Sequence, residues 1–526
     1  MITLSIRYVN NHLLRALVPL VLIVIGSSLF LMDTLNTSRV SQVSQKLKYE
    51  RMFATKTKYW DQRNANKDDV LSTLPAIANL TDRVPLRSEL ILVQTQIVAR
   101  HGIRYPTGEN IREMELLLRR LKPFENLLPT WMQNFTLPYN LSVEGKLAEA
   151  GERELRDLGA RSLARNGHER PQMYSKKKYR VAHTYVTRTR DSAIAFASSF
   201  FANAEVVEYI EYPQNKVLVL TNPFVDSIDV LLRFFDQCAR YQREVKTNQT
   251  AQEQRYMYQR SSVMTNNAQW LKKSLGLKNE KVVFSAEDVK SVQSACAFDI
   301  ALYHHEHHWC ALLSETLVHS LDYLDDIEQF YWIGGGYKIN YEMSAVLLRE
   351  IFATMEAKVR GDSAFLGSFF FAHAETTLPL MTLLGYGDRS LLLSNATDVE
   401  IASRGFRTSI LSPFAANLEF RLFKTKPTSQ FFVQILVNEK EIPIPGCGRV
   451  FCKLSKLQHL WRYYLKTYDF RADCLLSTKV HSNVASHKFG FGSFVTPYAE
   501  HQLLARVNTS QFDFVSSTTT VDNSIS

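Results

Sequence analysis

The chain has 526 residues, of which 45% are hydrophobic and 22% charged, and its formal net charge is +10. That length is too great for one ordinary compact core, and that composition excludes disorder over most of the chain. The basic balance favours an anionic partner without choosing between nucleic acid, acidic membrane and a phosphorylated small molecule.

Residues 16–32 are uncharged and mostly apolar, and Arg7, His12 and Arg15 precede them. This pattern predicts a signal peptide or a signal anchor over residues 1–32. No small-x-small cleavage site follows, which favours an uncleaved membrane anchor with the body outside the cytosol. Residues 33–85 read as a polar stem with helical pieces. Residues 89–99 are rich in β-branched and aliphatic side chains and predict a buried strand, which stops abruptly at Arg100-His101-Gly102. Apolar residues at helical spacing predict helices over 110–124 and 146–163. The basic run KKKYR at 176–180 reads as a solvated loop or strand edge. A strand over 179–185 and a helix over 188–201 follow.

From about 225 to 351 the periodicity is helical and strand signals are few. A strand-then-helix unit returns over 366–384, followed by strands over 414–422 and 430–438. Strands alternating with helices predict an α/β fold with a mainly parallel sheet flanked by helices. The α/β core would comprise residues 86–224 and 352–500, with a smaller helical insertion or cap at 225–351. Residues 501–526 read as a loose tail.

Seven Asn-x-Ser/Thr sequons begin at Asn36, Asn79, Asn134, Asn140, Asn248, Asn395 and Asn508. The six cysteines show no C-x-x-C pattern, so disulfides in an oxidising compartment are the natural reading. Cys447 and Cys452 can close a small loop around Gly448. Cys296 with Cys310 is a second plausible pair, which would leave Cys238 for Cys474; six cysteines allow about 15 connectivities. Together these features place the body in the secretory pathway, either secreted, lumenal or anchored. The histidine-rich run 304–308 lacks the helical HExxH register and reads as an exposed loop rather than a metal site.

Two strand ends carry unusual residues: Arg100-His101-Gly102-Ile103-Arg104-Tyr105-Pro106-Thr107, and His373-Ala374-Glu375. Ligands of open α/β sheets sit at the carboxyl ends of strands. Phosphoryl transfer needs an in-line nucleophile, positive groups around the equatorial oxygens and an acid for the leaving oxygen. Arg100 and Arg104 can supply planar forks for phosphate oxygens. Gly102 lets the backbone turn near the ligand. His101 can attack phosphorus through an unprotonated ring nitrogen, and Glu375 can donate the proton.

The first cluster resembles the RHGxRxP signature of the histidine acid phosphatases. That family usually pairs it with a distant His-Asp. Here the distant element is His-Ala-Glu within FAHAETTLPLMTLLG, which looks like the multiple inositol polyphosphate phosphatase branch. The stretch SPFAANLEFRLF…VQILVNEKEIPIPGC is similar to that branch too, as is Thr187-Arg188…Asp191-Ser192-Ala193. The likeness covers about residues 89–474.

The resemblance implies a histidine-phosphatase-like fold and the removal of phosphate from inositol polyphosphates, such as inositol hexakisphosphate, through a phosphohistidine. It implies that His101 is the nucleophile and that Glu375 protonates the leaving hydroxyl. Arg100, Arg104, Thr107, Arg188 and His373 would hold the phosphate. The family's Arg-x-x-Asp-Ser spacing favours Arg188 over Arg190. No cofactor or metal is implied, since arginines take the place of the cation used by many phosphatases. The partner would be a small phosphorylated polyanion rather than nucleic acid. A broad-specificity acid phosphatase and a catalytically inactive, membrane-anchored binding protein are the alternatives.

Overall fold

The computed structural model describes residues 52–60, 89–168, 171–202, 228–304, 308–426 and 428–474. All of them fall in the first of the two units into which the chain divides, Met1–Leu476. The anticipated anchor over 1–32 and the tail over 501–526 lie outside the described residues.

In chain order the principal elements begin with β1 (Leu90–Arg100), α1 (Gly108–Leu121), α2 (Glu149–Arg165), β2 (Tyr179–His183) and α3 (Thr187–Phe200). A helical run follows, with α4 (Ser262–Ser274), α5 (Ala286–Tyr303), α6 (Glu315–Ile333) and α7 (Ala345–Arg360) as its longer members. The chain then returns to the sheet through β3 (Gly367–Ala372), α8 (Ala374–Leu384), β4 (Asn417–Thr425), β5 (Phe431–Val437), β6 (Lys440–Glu441) and β7 (Phe451–Lys453).

The sheet has the order β2-β3-β1-β4-β5-β6, with β7 also on β5. β1, β2 and β3 pair in parallel, whereas every pair involving β4 to β7 is antiparallel. The α/β class is as expected, but the sheet is mixed rather than mainly parallel. The cause is the connections: helices carry the chain between the parallel strands, whereas β4 and β5 are joined by a short turn that can only reverse direction.

Both faces of the parallel half are covered, so β2 and β3 are buried along their whole length and β1 from Gln94 onward. Ile97, Ala99, Val181, Phe369 and Phe371 face α2 and α3, where the Phe196 ring lies 5.1 Å from Phe369 and 5.3 Å from Phe371. Val98, Ala182 and Phe370 face the larger core that includes the helical run. Burying each of these phenylalanines stabilises the fold by roughly 2–3 kcal/mol.

Two charged networks brace the packing. Arg165 bonds both Glu419 (2.7 Å) and Glu439, and Glu439 also takes Arg161 (2.8 Å). On α6, Asp322 and Asp326 share Arg404, at 2.7 and 2.6 Å. The three disulfides join Cys238 to Cys474, Cys296 to Cys310 and Cys447 to Cys452. His304 ends α5 in a left-handed conformation, and the His308 ring packs 5.1 Å from Trp131. Of the run 176–180, Lys176 to Lys178 form an exposed turn, while Arg180 is buried in β2 against Glu350 at 2.8 Å.

The stretch expected as a polar stem is described only over 52–60, and there it is packed. Phe53 is 2% exposed and Tyr59 0%. Tyr59 donates its N–H to Glu154 (3.1 Å) and its hydroxyl to Glu439 (2.8 Å). Both partners are distant in sequence, so the local polar average gives no sign of them.

Candidate active site

The parallel pairing sets Arg100 beside Ala372 and His183 beside Phe371. The carboxyl ends of β1, β2 and β3 therefore lie side by side and deliver His101, Thr184 and His373 to one place. The His101 N–H donates to Ala372 O (3.0 Å), which fixes the two ends to each other. Gly102 is required for packing rather than for a turn: a Cβ there would lie 2.4 Å from Gly151 O. The first turn of α2 can thus press directly on the loop, and Glu154 of α2 accepts the Ile103 N–H at 2.9 Å.

His101 is 3% exposed. Its Nδ1 lies 2.8 Å from Gly102 O, an atom that can only accept, so the proton sits on Nδ1 and Nε2 keeps its lone pair. Burial first, then Arg188 and Arg100, holds the imidazole well below its ordinary value.

Three arginines, Arg188, Arg100 and Arg104, act on this ring, and a fourth, Arg233, joins them at His373. Arg100 Nη1 donates to Thr55 O (2.5 Å) and Ser412 O (2.9 Å), and the guanidinium lies 4.8 Å from the Phe414 ring. Arg104 Nη1 donates to Tyr105 O (2.8 Å). Burial, aided by neighbouring arginines, pushes Arg100 down to about 10 and Arg104 to about 9. Arg188, at the start of α3, has Nη2 3.4 Å from His373 Nδ1, whereas Arg190 is exposed and pairs with Asp191. The fourth, Arg233, has Nη1 2.9 Å from His373 Nε2, pairs with Asp236, and stacks 4.6 Å from Tyr185 and 5.1 Å from Phe235. The Nε–H of all four is buried without a partner among the described residues. Buried donors are normally satisfied, so four orphans around one point mark a site built for an acceptor-rich anion.

His373, the N-cap of α8, sharpens this conclusion. Its ring stands edge-on to His101 at 5.8 Å, and its Nε2 is also 2.9 Å from Thr184 Oγ1. Guanidinium nitrogens only donate. Whichever ring nitrogen carries the proton, one arginine therefore faces an N–H. Burial and then Arg188 and Arg233 keep the ring neutral. An anion between these groups would turn the repulsion into hydrogen bonds.

Glu375 occupies the first turn of α8 and is half-buried. It interacts electrostatically with Arg100, Arg104 and Arg188, and it has no hydrogen-bond partner among the described residues. His101, Arg100, Arg104, Arg188, His373 and Glu375 thus come together from three separate stretches of sequence. Thr107 caps α1, its Oγ1 accepting the Asn110 N–H and lying 3.1 Å from Asn110 Oδ1. Sequence reasoning missed Arg233. The available signal was a lone charge in the apolar run Leu231-Leu232-Arg233-Phe234-Phe235.

The family model described as Histidine phosphatase superfamily (branch 2) matches residues 91–438. The chain is 27% identical over 453 residues to multiple inositol polyphosphate phosphatase 1 of Gallus gallus, covering 82% of this chain and 94% of that protein. It is 27% identical over 448 residues to the Homo sapiens protein of the same name, covering 81% and 89%. The solved structure of Bifidobacterium longum multiple inositol polyphosphate phosphatase, in complex with inositol hexasulfate, shares the fold at a TM-score of 0.57 and 16% identity, covering 78% of this chain and 97% of that one. The phytase from D. castellii shares it at 0.60 and 14% identity, covering 77% and 87%.

Proposed function

Because the chain belongs to the histidine phosphatase superfamily (branch 2) and is a phosphatase, we propose that it removes phosphate from inositol polyphosphates through a phosphohistidine at His101. The observation that carries this reading is His101, its Nδ1 held by Gly102 O so that Nε2 keeps its lone pair, beside His373 and a group of four arginines whose Nε–H donors have no partner among the described residues. In the first step the Nε2 lone pair attacks phosphorus, the bond to the inositol oxygen breaks, and Glu375 gives that oxygen its proton. In the second, Glu375 takes a proton from water, which attacks the phosphohistidine, releases inorganic phosphate and restores the ring. Arg100, Arg104, Arg188, Arg233 and His373 would hold the equatorial oxygens and stabilise their charge.

A highly phosphorylated ring suits a chain of net charge +10. It also agrees with the names of the relatives above, which are inositol polyphosphate phosphatases. The three disulfides suit an oxidising compartment, and we read the body as lying outside the cytosol. No helix among the described residues is long and apolar enough to cross a membrane.

The test is a phosphate-release panel on inositol hexakisphosphate and aryl phosphates, with wild type beside Glu375→Gln. The reading expects turnover of the hexakisphosphate and a loss of about 10²–10⁴-fold in the variant. Preference for aryl phosphates, or unchanged turnover in the variant, would overturn the substrate or the acid respectively.

A further inference from the structure

Residues 52–60 lie outside the stretch matched by the family model, yet they bond to Arg100 and Phe414 beside the site. Thr55 O accepts from Arg100, and Thr57 O accepts the Phe414 N–H at 3.0 Å. The Phe414 ring is itself 6.1 Å from His101. Glu154 ties Tyr59 and Ile103 to the same carboxylate. The residues on either side of Lys56 are therefore bonded to the end of β1 and to the segment that leads into β4.

Lys56 ends the turn Ala54–Lys56 and is half-buried. Its side chain makes no hydrogen bond or ion pair with any described residue. Its electrostatic neighbours are Asp325, Lys290, Arg104 and Glu328. The two acids are already committed: Lys290 takes Asp325 at 3.0 Å and bonds Glu328, and Arg255 lies 3.5 Å from Glu328. Two cations thus balance those two carboxylates, and the Lys56 ammonium is the surplus charge, within electrostatic range of Arg104. Burial acts most strongly against that charge, Asp325 and Glu328 favour it, and Lys290 and Arg104 oppose it; the balance is against the ammonium, and an added anion would offset it.

We propose that Lys56 Nζ binds a second phosphate of the substrate, next to the one attacked by His101. This deepens the inositol polyphosphate reading and rests on it. A substrate with one phosphate has nothing to offer Lys56; a ring with neighbouring phosphates does. The segment 52–60 then sets the preference for polyphosphorylated rings over simple monoesters, while also orienting Arg100.

The experiment compares wild type, Lys56→Met, Lys56→Gln and Lys56→Arg on inositol hexakisphosphate and p-nitrophenyl phosphate, with melting temperatures recorded. One charge-assisted hydrogen bond corresponds to about tenfold or more. The ratio of kcat/KM between the two substrates should fall about tenfold in the Met and Gln variants, chiefly through KM for the hexakisphosphate, and recover in Lys56→Arg. An unchanged ratio in folded Met and Gln variants, whether both activities fall together or neither does, overturns the proposal. Wild type that hydrolyses only the aryl ester overturns instead the substrate reading beneath it.

Discussion

Replacing Arg233 by Met tests the phosphate role proposed for a side chain that sequence motifs do not reveal. The side chain reaches His373 Nε2 at 2.9 Å through Nη1 while its Nε–H has no partner among the described residues. If these donors serve the transferring phosphoryl group, their loss costs about 2.7–4 kcal/mol of transition-state stabilisation, or roughly 10²–10³-fold in kcat/KM. The fold should suffer far less. Met fills the space between Tyr185 and Phe235, and Asp236 retains Lys246 at 3.7 Å, so the stability loss should be about 1–2 kcal/mol. Steady-state phosphate release from inositol hexakisphosphate measures the first quantity and a thermal melt the second. Arg233→Lys should rescue little, because an ammonium lacks the planar fork. A loss below about threefold in a folded Arg233→Met variant would refute the phosphate role of Arg233.

Further expectations concern pH and covalent structure. His101 and His373 are held well below the ordinary imidazole value. A depressed folded value means stability is present above pH 6.5 and lost as pH falls below it; the pH profile of kcat/KM should accordingly show no imidazole inflection near 6.5, and one there would contradict the neutral His101. Asp299 behaves oppositely. Its Oδ2 is buried without a partner among the described residues and burial raises it to about 7, so its contribution to stability is present at low pH and lost as pH rises from about 4 to 7. Asp299→Asn should flatten that slope and raise stability at pH 8, by at most about 4 kcal/mol, in denaturant titrations at the two pH values. The Cys238–Cys474 bond closes a loop of sequence separation 236, so the double Ser variant should lose about 5 kcal/mol, read as a lowered unfolding midpoint.

What was legible in the sequence was whatever local pattern encodes. The apolar run before Arg100 marked β1, and the abrupt polar cluster after it marked the strand's ligand-facing end. The second cluster at His373 followed the same logic, because the apolar run Phe369-Phe370-Phe371-Ala372 of β3 stops where the histidine begins. Arg188 was separable from Arg190 only through a family spacing; the structure supplies the physical difference, since one guanidinium is turned inward to His373 and the other outward to Asp191. Long-range partnerships were not legible. Arg233 meets His373 across 140 residues, and Tyr59 meets Glu439 across 380. The antiparallel half of the sheet could have been suspected from the short, turn-like interval between β4 and β5. Its edge strands β6 and β7, of two and three residues, are too short for any periodicity to show.

The central claim is that His101 carries the phosphoryl group. Enzyme mixed with inositol hexakisphosphate and quenched within a turnover in alkaline denaturant should yield one phosphorylated peptide, containing His101, whose modification is lost in acid. His101→Ala should show neither that peptide nor turnover. A phosphoryl group on another residue, or undiminished turnover in His101→Ala, would contradict the account.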